Sequence, residues 1–396
     1  MVIGLISLIF VSCISFKFTT TWTHPMNQKY IGRLHVNDGG KIPFMELDGK
    51  LVVETIRLNE KSSQKINFIL DTGIYGNFLR KEIGLIAKPE IVNDNILDSH
   101  FPNGDFVTYG DLSLNENILS GSHFLHTDFS RSRIPGAGNL NQNFSGILSG
   151  KIFNELPVLF SFKDKEFSIL DQNIWPEYLQ IKFVKIDERM KLAGRFVAPI
   201  SWPDSEIDTF VDTGADSGFI SLAVAQDFAK KDPDNWVKVE DKWQGTALWG
   251  QVTLMVNGIK FKNYLLNTQQ FSTTERTIGL DVMKYFNWYF SHDRTVMAIE
   301  TITNKTEIDL AQNRDTIGFG YEKVGTDYVV VAIFKKMTGE SFLPGLKIGD
   351  RIVSINGRPS HLTNLGVQGK YRLEIEGSNG KIFLEAERRI IFSNQN

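Results

Sequence analysis

The chain contains one segment twice, and this repeat is the strongest constraint on its fold. The first copy runs from "KINFILDTG", at residue 65, to Leu170, and the second runs from "EIDTFVDTG", at residue 206, to Ile299. Three pairs of segments match when the copies are aligned: Ile147-Leu148-Ser149 with Thr277-Ile278-Gly279, Ile152-Phe153 with Val282-Met283, and Phe160-Ser161 with Phe290-Ser291. Tandem copies of one unit predict two lobes that are related by a pseudo-twofold axis and share an interface.

Short apolar runs, often alternating with polar residues, make up most of the sequence and are separated by Gly, Asn and Asp turns. This pattern predicts strands, whereas helical periodicity is found in "SLAVAQDFAKK" from Ser221 and in "DVMKYF" from Asp281. We therefore expect a mainly β fold. The net charge of −3, with no basic block in the sequence, gives no reason to expect a nucleic-acid partner.

The amino terminus has the pattern of an export signal. "MVIGLISLIFVSC" is an apolar run that ends at Cys13, the only cysteine, so the chain cannot form an internal disulfide. The run is too short to span a bilayer stably and fits the apolar region of a secretion signal. "FVSC" resembles the lipobox of bacterial lipoproteins, which implies lipidation of Cys13 and a periplasmic or membrane-anchored location in a bacterium. The alternative is an amino-terminal strand with an unreactive buried thiol.

The two Asp-Thr-Gly loops, which contain Asp71 and Asp212, are the candidate catalytic site. An Asp at the end of a strand lies where backbone N–H groups can hold its carboxylate, a Thr hydroxyl can bridge to the facing loop, and a Gly lets the two backbones approach closely. If the twofold brings the loops together, the two carboxylates share one proton, because like charges so close cannot both ionise. One carboxylate can then activate water while the protonated one hydrogen-bonds a substrate carbonyl. The alternative for each loop is an ordinary strand turn.

These loops resemble the active-site loops of aspartic peptidases of the pepsin and retropepsin type, including the bacterial aspartyl protease family. The resemblance covers roughly residues 30–300 and implies a two-lobed acid-protease β-barrel fold. It implies the following residue roles: Asp71 and Asp212 catalytic, Thr72, Gly73, Thr213 and Gly214 supporting the loops, and Tyr109 and Asp216 binding substrate. "VTYGDLSL" resembles the pepsin flap and supplies the role of Tyr109, for which the alternative is a half-buried strand tyrosine.

The first loop departs from the family pattern. Ile74, Tyr75 and Gly76 stand where the family has small or hydroxyl residues, and Ser149 takes the glycine position of the apolar-Gly turn. These departures favour a competing hypothesis, in which a non-catalytic pseudo-protease cleft holds peptides. In a third reading each lobe pairs with a second chain. Two copies in one chain instead predict a monomer that is complete by itself.

The carboxy-terminal region has a second recognisable pattern. Residues 345–350, "GLKIGD", predict a tight turn into a strand, and Asn356-Gly357 predicts a hairpin turn. The region 316–392 resembles a PDZ domain of the bacterial protease type, a small α+β fold that binds peptide carboxy termini by strand addition. The resemblance assigns peptide binding to "TIGFG" at 316–320, in particular Ile317, Gly318, Phe319 and Gly320. The alternative is a PDZ fold that docks onto the lobes without binding a peptide.

The predicted organisation therefore has five parts. They are a leader over 1–22, a first protease lobe over 23–180, a second lobe over 181–303, a linker over 304–315 and a PDZ domain over 316–396. We expect an exported aspartic endopeptidase that acts on a protein or peptide substrate and uses no cofactor or metal. His123 and His126 are spaced for a metal only on a helix, and their segment is predicted to be a strand. No phosphate loop, G-x-S-x-G motif or thiol site occurs in the sequence.

Overall fold

The computed structural model of the chain describes most of the residues from 32 to 390 and shows a mainly β protein, which confirms the predicted fold class. The described residues are 32–37, 40–47, 49–58, 65–74, 76–80, 91–93, 105–127, 144–170, 175, 179, 181–184, 195–242, 245–268, 276–310, 315–316, 318–360, 370–377, 380–387 and 389–390. For 91–93, 105–109, 127, 315–316, 323 and 389–390 this description is limited to the backbone.

The strands of the repeat follow one another in the same order in both copies. In and before the first copy they are β1 (Arg33–His35), β2 (Lys41–Leu47), β3 (Lys50–Arg57), β4 (Lys65–Asp71), β5 (Asn77–Arg80), β6 (Ile91–Asn93), β7 (Asp105–Leu114), β8 (Asn117–Thr127), β9 (Gly146–Ser149), β10 (Val158–Ser161) and β11 (Glu166–Ile169). They continue with β12 (Ile181–Phe183), β13 (Val197–Ser201), β14 (Glu206–Val211), β15 (Gly218–Ile220), β16 (Trp236–Asp241), β17 (Gly245–Val256), β18 (Ile259–Thr268), β19 (Arg276–Ile278), β20 (Phe286–Phe290) and β21 (Val296–Thr301).

The remaining strands and the helices complete the described secondary structure. The strands are β22 (Glu307–Asp309), β23 (Asp315–Thr316), β24 (Phe319–Val324), β25 (Asp327–Lys336), β26 (Arg351–Ile355), β27 (Arg358–Pro359), β28 (Lys370–Gly377), β29 (Gly380–Glu387) and β30 (Arg389–Ile390). The helices are α1 (Leu222–Lys231) and α2 (Leu280–Met283), with 3-10 turns at Gly150–Phe153 and Pro233–Asn235. Both α-helices overlap the segments with helical periodicity, and the Ser221 side chain caps α1 by accepting a hydrogen bond from the Val224 amide at 3.4 Å.

The chain divides into two compact units. The first contains residues 1–200, 206–216 and 278–304, and the second contains 201–205, 217–277 and 305–396. Both Asp-Thr-Gly loops belong to the first unit. The predicted boundaries of lobes and PDZ domain stay a prediction.

The sheet of the first unit joins the last strands of the two copies. Its order is β12-β21-β20-β10-β11-β2-β3-β4-β9-β5-β8-β7-β6, so β10 of the first copy pairs antiparallel with β20 of the second. Phe160 and Phe290, which the repeat alignment makes equivalent, contact each other with ring centroids 5.4 Å apart. Phe153, Phe167 and Phe196 pack around them and are fully buried. This aromatic core holds the carboxy-terminal ends of both copies together.

Two antiparallel strands of the second unit connect the second copy to the carboxy-terminal region. One edge of β25 pairs with β24, and its other edge pairs with β26 near Tyr328 and with β16 over residues 332–336. Val237 and Val239 of β16 are buried against Phe334 of β25. A continuous backbone ladder and a shared apolar cluster therefore join β16 to the carboxy-terminal strands.

The carboxy-terminal strands have the turns that the sequence predicts. Asn356 and Gly357 have φ values of +53° and +76° and form the two-residue turn between β26 and β27. Buried residues such as Val330, Ile352 and Leu373 form a separate apolar cluster here. The segment predicted as a linker, 304–315, contains β22, which pairs in parallel with β18. Its alternation puts Ile308 into the interior while Glu307 and Asp309 stay exposed.

No helix among the described residues is both long enough and apolar enough to cross a bilayer.

Candidate active site

The two aspartates lie at the ends of strands, where neighbouring strands fix their backbones. Asp71 is the last residue of β4 and is paired with Ser149 of the parallel strand β9. Asp212 follows β14 directly, and its amide donates a hydrogen bond to the Ile278 carbonyl at 3.0 Å. In each copy the aspartate is therefore held beside the apolar-Gly turn of the same copy. Both side chains belong to residues that are half-buried.

Thr72 and Thr213 cross-link the two loops through four hydrogen bonds. The Thr72 hydroxyl donates to the Val211 carbonyl at 2.7 Å, and the Thr213 hydroxyl donates to the Leu70 carbonyl at 2.8 Å. Each hydroxyl also accepts a hydrogen bond from the other threonine's amide, at 2.9 Å for Thr213 N and 3.1 Å for Thr72 N. Both threonines are buried, so these bonds replace the water that the polar groups would otherwise bind.

Gly73 and Gly214 allow the aspartates to approach the opposite loop. A Cβ atom on Gly73 would overlap the carboxyl group of Asp212, and one on Gly214 would overlap the carboxyl group of Asp71. No residue with a side chain fits at either position without moving a carboxylate. The glycines are thus required by the close approach of the loops.

The carboxyl groups of Asp71 and Asp212 lie close together, since each lies against the glycine of the opposite loop. Asp71 Oδ1 accepts from the Gly73 amide at 2.7 Å, and Asp212 Oδ1 accepts from the Gly214 amide at 2.8 Å, so the two loops have matching geometry. Burial raises the pKa of Asp71 well above its usual range, and the charge and hydrogen bond of Asp212 raise this pKa further. The Gly73 amide and the Lys50 charge act in the opposite direction on the same pKa. This is the electrostatic pattern of two carboxyls that hold one proton.

Two of the unusual residues in the first copy, Ile74 and Ser149, have defined contacts. The Ile74 side chain packs against the apolar cluster of Val52, Ile69, Phe78, Leu125, Phe144 and Ile147. The Ser149 hydroxyl donates to the Ile74 carbonyl at 2.7 Å, and the Ser149 amide donates to Asn77 Oδ1 at 3.0 Å. Gly76 is buried, and Tyr75 lies outside the described residues. Serine at the glycine position therefore adds a hydrogen bond that ties the turn to the first loop.

The predicted substrate residue Asp216 forms an ion pair with Lys50. Lys50 Nζ donates to Asp216 Oδ1 at 2.7 Å and to the Gly214 carbonyl at 2.9 Å. The Asp216 backbone is fixed as well, because its carbonyl accepts from the Asp281 amide at 3.2 Å at the start of α2. Sequence reasoning missed Lys50. It belongs to a hairpin that is 166 residues from Asp216 and has no catalytic motif of its own.

The other predicted substrate residue, Tyr109, lies within β7 between Thr108 and Gly110, which are paired with His123 and Ser122 of β8. Its side chain is outside the described part of the chain. The residues that connect β6 with β7, 94–104, are also outside it. The predicted role of Tyr109 in closing over a substrate therefore stays a prediction.

The predicted peptide-binding loop of the carboxy-terminal region is described in part. Gly318 has a φ of +90°, its carbonyl accepts from the Phe334 amide at 3.0 Å, and Phe319 and Gly320 begin β24. The Phe319 side chain is buried in the local core. Among the described strands, β24 pairs with β25 alone. Ile317 lies outside the described residues, as does Cys13.

The histidines of the H-x-x-H segment lie on β8, as the alternating sequence predicts. Neighbouring positions on a strand face opposite sides, so residues three apart do not converge. Within the described ranges, no cluster of three or more His, Cys, Asp or Glu side chains could hold a metal ion.

No model of a protein family matches this chain, and no curated protein matches it at a significant level. The functional argument therefore depends on the motifs and on the geometry of the site.

Proposed function

We propose that the chain is an aspartic endopeptidase that hydrolyses peptide bonds with water activated between Asp71 and Asp212. One observation carries the proposal: each carboxyl lies against the glycine of the opposite loop, so the two are neighbours, and the pKa of Asp71 is raised by burial and by Asp212. A turn that served only to reverse the chain would not need two neighbouring carboxyls, which repel each other unless they share a proton.

The mechanism follows from one proton held by the pair. The shared proton belongs to the pair and not to one carboxyl. When it is on Asp71, Asp212 is the base. Asp212 takes a proton from water as its oxygen attacks the substrate carbonyl, while Asp71 donates its proton to the carbonyl oxygen. Collapse of the tetrahedral intermediate breaks the C–N bond. The nitrogen receives the proton held by Asp212, and Asp71 regains its proton from the hydroxyl that becomes the carbonyl.

The surrounding residues support this chemistry by fixing the carboxyls. Thr72 and Thr213 cross-link the loops, and the Gly73 and Gly214 amides each hold one carboxyl oxygen. Pre-organised groups of this kind need no rearrangement when charge moves between water and the dyad. Ile74 packs into an apolar cluster, which supports the catalytic hypothesis, whereas Tyr75 lies outside the described residues.

Digestion of a denatured protein, measured from mildly acidic to neutral pH, tests the proposal. We expect Asp212→Asn and Asp71→Asn each to lower the rate by about 10²–10⁴-fold, because each removes one partner of the proton transfer. Asp227→Asn is the matched control, since this exposed carboxylate pairs with Lys230 in α1. If wild type and the two dyad variants behave alike over the whole pH range, the enzyme hypothesis is wrong and the peptide-binding hypothesis replaces it.

We also propose that the carboxy-terminal region captures peptide carboxy termini on β24 and so recruits or orients substrate. The positive φ of Gly318 and the pairing of β24 with β25 alone, among the described strands, support strand addition at this edge. Peptides with a free apolar carboxy terminus should bind the full chain more tightly than the same peptides with an amidated terminus. Equal affinity of the two forms would contradict capture of the carboxylate and leave this region a docking module.

Export, lipidation at Cys13 and the monomeric state are further proposals that rest on the sequence. Cys13→Ser should move the protein from the membrane fraction to the soluble periplasmic fraction of a bacterial host. The full chain should sediment as an active monomer, since both aspartate loops come from one chain. Activity found in a dimer alone would overturn that expectation.

A further inference from the structure

Lys50 connects the first half of the chain to the second aspartate loop. It is the first residue of β3, directly after the turn that contains Gly49, where φ is +73°. Its side chain is only 16% exposed, although lysine is almost never buried without a partner. The partners of its ammonium group are the Asp216 carboxylate at 2.7 Å and the Gly214 carbonyl at 2.9 Å.

The ammonium group stands next to the aspartate pair. The α-carbon of Gly214 is so close to Asp71 that any Cβ there would overlap the Asp71 carboxyl. A cation bound to the Gly214 carbonyl therefore lies at the border of the dyad. Its charge lowers the pKa of Asp71, against the upward effects of burial and Asp212.

We infer that Lys50 is a positioning residue of the dyad, which holds the second aspartate loop through Gly214 and Asp216 and supplies the positive charge beside the two carboxyls. The inference rests on the proposed endopeptidase function and deepens it. The charged side chains involved are Asp71, Asp212 and Asp216, and Asp281 contacts the same loop through its backbone amide.

The charge of Lys50 favours ionised over protonated carboxyls in the pair. A nearby cation makes protonation of a carboxylate less favourable, so both limbs of a bell-shaped pH–rate profile lie at lower pH with Lys50 than without it. Loss of the charge should move both limbs to higher pH. Loss of the two hydrogen bonds should also let the Gly214 loop shift relative to Asp71.

Three full-length variants test the role of Lys50. Lys50→Met removes the charge and the donors while keeping an unbranched side chain, and Lys50→Arg keeps the charge. Lys41→Met is the matched control, because Lys41 is an exposed lysine of the preceding strand that pairs with Glu166 at 2.7 Å. The measurements are kcat and KM for a peptide substrate as a function of pH.

We expect Lys50→Met to lower kcat/KM by about tenfold or more, mainly through kcat, because it loses two charge-assisted hydrogen bonds beside the reacting groups. Both limbs of its profile should move to higher pH. Lys50→Arg should keep the wild-type limbs, and Lys41→Met should resemble wild type. A Lys50→Met profile that overlays that of wild type, or a Lys50→Arg profile shifted as far as that of Lys50→Met, would overturn the inference.

A measurement without substrate separates this inference from the proposed function. If wild type shows no hydrolysis, the proposed function fails, and urea unfolding then tests the contacts of Lys50 directly. The Lys50 charge lowers the pKa of Asp71, so it stabilises the folded chain more when the aspartate pair is ionised than when it is protonated. Lys50→Met should therefore be less stable than wild type at neutral pH and approach wild-type stability in acid. A stability difference that does not change with pH would refute the charge contact.

Discussion

Replacement of the two cross-linking threonines by valine tests whether the aspartate loops act as one unit. Valine keeps the shape of the side chain and removes the hydroxyl. Thr213→Val leaves the Leu70 carbonyl and the Thr72 amide without their partner, and Thr72→Val leaves the Val211 carbonyl and the Thr213 amide. A buried polar group without a partner costs about 1–3 kcal/mol, so each single variant should lose roughly 2–6 kcal/mol of the free energy of unfolding.

The double variant should lose less than the sum of the two single variants. Once either hydroxyl is gone the loops can move apart, and the remaining two hydrogen bonds weaken with them. Groups in one hydrogen-bond network typically show interaction energies of about 0.5–3 kcal/mol. Thr55→Val is the control, because the buried Thr55 hydroxyl makes one bond, to the Ile66 carbonyl at 3.1 Å, within the first copy. That variant should lose about 1 kcal/mol.

Urea unfolding followed by tryptophan fluorescence measures these free energies. Trp288, which is fully buried, belongs to the same compact unit as both loops and reports on it. If the losses of the two single variants add within about 0.5 kcal/mol in the double variant, each loop is held independently and the cross-link argument is wrong. If Thr72→Val or Thr213→Val loses no more free energy of unfolding than Thr55→Val, the expected loss of roughly 2–6 kcal/mol is wrong.

Three other perturbations have expected outcomes. Gly214→Ala should reduce peptide hydrolysis by at least about 10²-fold, because its methyl group would displace the Asp71 carboxyl from the dyad; near-normal activity would show that the loops can separate without loss of function. A carboxyl whose pKa is raised by folding costs no stability while it is protonated, and it destabilises the folded chain as the pH rises above its usual pKa. Asparagine cannot ionise, so Asp71→Asn should be more stable than wild type at neutral pH. This advantage should disappear below about pH 4, where the carboxyl is protonated in both the folded and the unfolded chain. Thermal unfolding across pH checks this sign, and a variant less stable at every pH would refute it. Phe334→Ala should lower the free energy of unfolding by about 3–5 kcal/mol, because Phe334 of β25 is buried against Val239 of β16; urea unfolding that stays unchanged would mean that the two strands are not joined by this core.

The repeat made the mainly β class and the two candidate aspartates predictable, because both depend on local patterns. Alternating apolar residues indicate strands, and an apolar run that ends in Asp-Thr-Gly indicates a strand end with a close backbone approach. The hairpin turn at Asn356-Gly357 was predictable for the same reason, since both residues tolerate the positive φ values that the turn requires. In each case the residues that form the structure lie within a few positions of the pattern that predicts it.

Contacts between distant segments were not predictable in this way. The ladder between β16 and β25 joins Val237 to Lys336 and so spans about a hundred residues, and neither strand has a pattern that selects the other. β22 lies in a polar segment that reads as a linker, although its backbone pairs with β18 and its residue Ile308 is buried. In the sequence, Lys50 is an ordinary residue after a turn. The structure shows that it lies beside the loop that contains Asp216.

Because both copies belong to one chain, their sequences can differ, whereas two identical subunits must have the same sequence. The symmetric parts are those that the cross-link needs on both sides: the aspartate, the threonine and the glycine. Outside them the copies differ. Ser149 braces the first loop where the second copy has Gly279, and Lys50 contacts the second loop through Asp216. Such asymmetry lets the carboxyls of one pair differ in their surroundings. In the proposed endopeptidase, any difference in proton affinity between Asp71 and Asp212 would come from these surroundings, not from the shared motif.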